Sequence, residues 1–137
     1  MKNKGFTLIE LLAVIVILAI IALIATPIIL GIINDARDSA KTRSAELVAT
    51  GVEYAITTYM YKNNGNAPAS VDDFDEYFNV ENYTMDTEGN VKEVGAAANA
   101  TAFCKVTVTT TKATVDCGES YGKVSNFTSK DIALGTL

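Results

Sequence analysis

The 137-residue sequence predicts an α+β fold: one long N-terminal α-helix, half transmembrane and half packed on a domain, against a roughly four-stranded antiparallel β-sheet. Three observations carry this reading. Residues 11–33 contain no charged side chain; residues 34–62 keep a helical recurrence of apolar side chains while the opposite face turns charged; and much of residues 81–117 alternates with period two around turn-forming clusters. The length allows an anchoring segment plus one small domain, and not two full domains.

The first element opens with "KNKGFTLIELLAVIVILAIIALIATP". From Leu11 to Ile33 there are 23 residues, roughly 35 Å of helix at about 1.5 Å per residue, enough for a hydrocarbon core of about 30 Å. A secretory signal peptide has a shorter apolar run followed by a small-residue cleavage site. Here the run is long and ends in "GIINDARDSA", so the helix is expected to be retained. Lys2 and Lys4 precede the span and a large acidic remainder follows it, which orients the chain N-in and C-out as a single-pass precursor.

Past the span, Ala36, Ala40, Leu47, Val48, Val52, Ile56, Tyr59 and Met60 recur at three- and four-residue intervals. Asp35, Arg37, Asp38, Lys41, Arg43, Glu46 and Glu53 occupy the other face, and Lys62 with "NNGN" gives a stop signal. One helix of about 55 residues is expected, far longer than an ordinary globular helix. Pro27 cannot donate to the carbonyl of Leu23, and Gly31 follows one turn later, so the helix is expected to soften there.

Residues 63–70 read as a loop, and Ser70 is placed to cap a short helix through "VDDFDEYF". The acids Asp72, Asp73, Asp75 and Glu76 fit a solvated first turn, because the glycine-centred spacing of an oxygen-ligand loop is missing. "ENYTMDTEGNVKEV" reads as a hairpin around "TEGN", and "AFCKVTVTTTKATVDC" as a second one turning at Thr110 and Thr111. Pairing about that turn sets Cys104 opposite Cys117, Val106 opposite Val115 and Val108 opposite Ala113, all on one face. The cysteines would then lie about 4.5 Å apart between Cα atoms, at the short end of disulfide geometry. A Cys104–Cys117 bond is feasible in an extracytoplasmic domain, while two buried thiols in an anaerobic setting need none; both states stay open. One further strand is expected around Lys123–Thr128. Three Asn-x-Thr triplets, at Asn82, Asn99 and Asn126, are treated as chance in a chain rich in both residues.

The formal net charge is -5, and about -7 without Lys2 and Lys4, which disfavours a passive nucleic-acid-binding surface. With no histidine and two cysteines, the usual metal and nucleophile–base arrangements lack their parts, so no metal and no cofactor are expected.

"KGFTLIELL" resembles the prepilin processing motif of type IV pilins and their relatives in secretion and competence systems: a short basic leader, Gly5, Phe6, Glu10 and an uninterrupted apolar helix. Composition and motif most resemble major pilins of Gram-positive, clostridial type. The motif covers about a fifth of the chain, and the downstream order of amphipathic helix, loop and antiparallel strands agrees with that family's lollipop architecture. The resemblance implies cleavage between Gly5 and Phe6 by a membrane aspartyl peptidase, followed by N-methylation of Phe6. It divides the chain into a cleaved leader (1–5), a hydrophobic transmembrane and filament-core helix (6–33) and an extracellular pilin domain (34–137).

It also implies the partners: copies of the chain in a helical homopolymer, the prepilin peptidase and methyltransferase, the inner-membrane pilus assembly machinery, and the membrane before assembly. The role the resemblance implies is that of a pilus subunit serving adhesion, twitching-type motility or biofilm formation, with no enzymatic activity. Two alternatives stay in view: a pseudopilin of a type II secretion or competence system, and a membrane-tethered domain that does not polymerise.

Chemistry explains the residue types. Glycine at position 5 leaves no side chain beside the scissile bond. An acid near the middle of a span costs about 2.5 to 3.5 kcal/mol, less at the edge, so Glu10 is tolerable near the cytoplasmic interface. Cleavage turns the amide of Phe6 into an amine, a cation able to pair with Glu10 of another copy.

Overall fold

The fold was read from a computed structural model that describes residues 5, 7–124, 127 and 129–135. Lys2, Lys4, Phe6 and Asn126 lie outside the described residues, as does part of the expected 123–128 strand. The first element, α1, is a helix over Leu8–Lys62, 55 residues long. Packing divides the chain into Met1–Arg37 and Asp38–Leu137, and each is described by itself.

In the first unit α1 leaves its large aliphatic side chains exposed from Leu8 to Ile33, and it is long and apolar enough to cross a membrane. It runs through Pro27 and Gly31 without interruption. Proline has no N–H for the carbonyl of Leu23. One residue earlier, the Thr26 hydroxyl donates to the carbonyl of Ala22 at 2.6 Å, a local bond available to a threonine that lacks water.

In the second unit the helix buries one face: Ala45, Val48, Ala49, Val52, Ala55, Ile56 and Met60. The buried alanines let backbone approach backbone, and the valines fill the gaps between them. Ala36, Ala40 and Leu47, expected on this face, are exposed, Leu47 at 60%. Leu47 is one residue, about 100° of helix, away from Val48 and so falls off the buried stripe. The buried stripe begins only at Ala45 and continues through Val48, Val52 and Ile56 at three- and four-residue steps. The helix stops where Asn64 and Gly65 take positive φ (59° and 84°), and the Gly65 N–H returns to the carbonyl of Met60 at 2.8 Å.

The sheet has five strands, one more than expected: β1 (Tyr83–Met85), β2 (Asn90–Glu93), β3 (Cys104–Val108), β4 (Lys112–Asp116) and β5 (Ser129–Ala133). Their spatial order is their chain order, and every neighbouring pair is antiparallel. The β3–β4 register sets Val106 opposite Val115 and Val108 opposite Ala113, the pairing the alternation predicts. Cys104 and Cys117 are buried and bonded, with Cα atoms 4.2 Å apart.

The β3–β4 turn has no glycine and no positive φ at Thr110 or Thr111, so it is not one of the primed turns usual for two-residue hairpins. Thr109 compensates. Its backbone N–H donates to the carbonyl of Lys112 at 2.8 Å, its hydroxyl bonds that carbonyl at 3.0 Å, and the Lys112 N–H returns to the hydroxyl at 3.2 Å.

β5 begins later than expected because the chain first closes a loop after Cys117. The N–H groups of Tyr121 and Lys123 reach the carbonyl of Gly118, Val124 N–H reaches that of Cys117, and Lys123 sits at φ 55°. The short helix expected over 71–78 is instead two 3₁₀ turns, Val71–Asp73 and Asp75–Tyr77, divided by the buried Phe74. Asp73 is the acceptor there, taking the N–H of Ala69 at 2.8 Å and of Ser70 at 3.2 Å. The tight three-residue winding lets Phe74 enter the core beneath β2 and β3, whose Val91, Cys104 and Val106 belong to the same apolar cluster.

Candidate functional site

Of the residues singled out by sequence, Gly5 and Glu10 lie at the head of α1, Pro27 and Gly31 within it, and Cys104 and Cys117 in the sheet unit. Gly5 is exposed and outside any regular element, and a Cβ built on it would meet nothing within 4 Å. The packing of the described residues makes no demand for glycine here.

Two residues past Phe6, which is itself outside the described residues, the helix begins by a reciprocal pair of bonds. The Glu10 N–H donates to the Thr7 hydroxyl at 3.1 Å, and the Thr7 N–H donates to the Glu10 carboxylate at 3.3 Å. The Thr7 carbonyl accepts the N–H of Leu11 at 3.1 Å, the first i to i−4 bond of the helix. Thr7 is thus the N-cap and Glu10 the third helical residue of a capping box, each satisfying a donor the first turn would otherwise leave bare. Sequence reasoning passed over Thr7, although "TLIE" before an apolar run is the Thr-x-x-Glu signature of such a box. In the isolated chain Glu10 already has a partner, and that partner is local.

The family pattern described as the prokaryotic N-terminal methylation motif matches residues 1–26. That match supports a likeness to type IV pilin-like prepilins over the head of the chain. Comparison with curated proteins and with solved structures finds no significant match. The motif implies a substrate of prepilin peptidase that engages assembly machinery in general, and together with the apolar helix it supports anchoring in a membrane. The pilin type is a structural protein, not an enzymatic one.

In the second unit the described residues form no cation-binding cluster: no group of three or more acids and cysteines among them is placed to hold a metal ion. The acids Asp72, Asp73, Asp75 and Glu76 line the two 3₁₀ turns, with Asp73 engaged by backbone. An acid-based network lies at the β1–β2 turn. There Asp86 takes the N–H groups of Glu88 and Asn90, each at 2.9 Å, and the Asn90 side chain at 3.1 Å. Lys105 reaches across from β3 to the Glu88 carbonyl at 2.8 Å and to Asn90 Oδ1 at 3.2 Å. Lysine fills the oxygen cluster that a cation would need.

Proposed function

We propose that the chain is a structural subunit of type IV pilus filaments, polymerised through its N-terminal helix and displayed outside the cell for adhesion, motility or biofilm formation. The observation that supports this reading is the methylation motif at the head of a helix that is exposed and charge-free over residues 11–33, with Glu10 in its first turn. On this reading 1–5 is a leader removed in the cytoplasm, 6–33 waits in lipid and then lines the filament core, and 34–137 is the exported domain. Pro27 and Gly31 allow the core helix to stretch under load, since the carbonyl of Leu23 has no proline N–H to hold it.

Glu10 sets the axial register between subunits. Once Gly5 is cut from Phe6, the new amine of an incoming copy pairs with Glu10 of a copy already in place. Misregistered helices leave the charges unpaired in an apolar core, which is costly. Mass analysis of the N-terminus of protein sheared from the cell surface tests the reading. A methylated Phe6 start is expected; an intact Met1 start points instead to a tethered domain that never polymerises. In the same material a Glu10→Gln chain is expected to be processed but to enter fibres poorly, and normal incorporation would remove the pairing idea.

A pseudopilin of a secretion or DNA-uptake system carries the same motif, so the motif favours that second reading equally. Filament yield separates the two, because long sheared fibres built mainly of this chain belong to a pilus.

A further inference from the structure

From the bonds at the head of α1 we infer that Thr7 is a positioning residue for processing: its hydroxyl stops the helix at Leu8 and so keeps the Gly5–Phe6 peptide bond available to the peptidase. The inference rests on the proposed cleavage between Gly5 and Phe6 and assigns a role to a residue outside that bond.

A peptidase needs the scissile amide accessible and free of intrahelical hydrogen bonds. Upstream growth of α1 by one turn would place the residues flanking that bond inside the helix, where their carbonyls accept from residues four further on. Such growth is favoured where the first-turn N–H groups lack partners, because an added turn satisfies them. The Thr7 hydroxyl removes the incentive. It takes the Glu10 N–H at 3.1 Å, while the Glu10 carboxylate takes the Thr7 N–H at 3.3 Å. Gly5 has no Cβ to favour helix and meets no neighbour, so the cap and the glycine act in the same direction. The helix begins at Leu8, with Gly5 exposed outside it.

The reaction itself is hydrolysis. Water adds its oxygen to the Gly5 carbonyl carbon, the bond from that carbon to the Phe6 nitrogen breaks, and the nitrogen leaves as a protonated amine.

The test is the initial rate of cleavage of the full-length chain in membranes by prepilin peptidase, for Thr7→Val, Thr7→Ser, Thr7→Asn and Glu10→Gln. Valine keeps the shape and loses the acceptor, and its rate is expected to fall roughly fivefold, the factor that corresponds to losing one helix cap. Serine and asparagine are good caps and are expected to keep the wild-type rate. Glutamine serves as well as glutamate in a capping box, so Glu10→Gln is also expected to be cut normally. Backbone ¹³C shifts at Phe6 report the helix start directly, moving toward helical values in Thr7→Val alone.

Wild-type cleavage of Thr7→Val, or equal slowing of valine, serine and asparagine, overturns the capping role and leaves the processing reading intact. Failure of the wild-type chain to be cut after Gly5 overturns the processing reading, and this inference with it.

Discussion

At the scale of single residues, polar side chains in this chain are spent mostly on backbone. Asp86 is the clearest case. Burial pushes its carboxyl pKa up, but the backbone and side-chain bonds from Asn90, the N–H of Glu88 and the charge of Lys105 outweigh that and hold it below the ordinary value. A depressed pKa in the folded state stabilises the fold fully above the unfolded value, about 3.9. That contribution is lost as pH falls through the folded value. The denaturation midpoint of the detergent-solubilised chain should therefore be insensitive to Asp86 from pH 7 to about pH 5 and fall on the acid side. Asp86→Asn should flatten the acid limb.

Asp86 and Thr7 were both hard to see in the sequence, for related reasons. Each works on neighbours two to four residues away, and in a chain rich in threonine and acids such spacings arise often. Gly5, Phe6 and Glu10 stood out together in the sequence because one motif fixes their spacing. The turn glycine Gly89 was legible as a turn residue only. Its φ of 93° and its close approach to the Val106 carbonyl depend on β3 arriving beside β2, which no local pattern reports.

At the scale of elements, period two was the most informative signal. The β3–β4 register followed from apolar alternation and cysteine spacing together, because a slip of one residue would turn Val106, Val115 and both cysteines to the opposite face. β5 was placed early, since nothing local announces that the Cys117–Val124 loop closes on itself first. The expected 71–78 helix became two 3₁₀ turns because burying Phe74 outweighed helix propensity.

The Cys104–Cys117 bond joins two strands that already pair, across a sequence separation of 13. Its stabilisation should be that of a short closed loop, about 2 to 3 kcal/mol. A Cys104→Ala/Cys117→Ala chain should keep the fold and unfold at lower denaturant by that amount. Reductant should lower the midpoint of the wild-type chain and leave the double variant unmoved. If wild-type and variant unfold together under non-reducing conditions, the bond contributes no stability.

At the scale of the whole chain, two solvents are written into one sequence. The unit from Asp38 onward has a contiguous apolar core of α1, the sheet and Phe74. Residues 8–33 have none, and their exposed aliphatic side chains make sense only in lipid or against other apolar surfaces. This contrast was fully visible in the sequence as a charge-free stretch, whereas the residues that fill the core were visible only where strict alternation or helical spacing marked them. A lysine at the middle of the stretch, Ile20→Lys, should cost about 2.5 to 3.5 kcal/mol of insertion free energy. The chain should then be released by alkaline extraction of membranes that retain the wild type; retention of the variant would mean that the stretch does not span.

The strand order carries one more consequence. Because the sheet runs β1 to β5 in chain order, a ribosome feeding out the chain presents each new strand to an edge that has already formed. No strand must wait for a later one to be slotted between itself and its neighbour, and α1 is present as a backing from the start. The last strand to emerge, β5, carries Lys130, whose ammonium meets Glu53 of α1 at 3.3 Å. This late strand thus latches onto a helix completed before it, and a chain truncated before Ser129 should lose that latch and leave β4 as an unpaired edge.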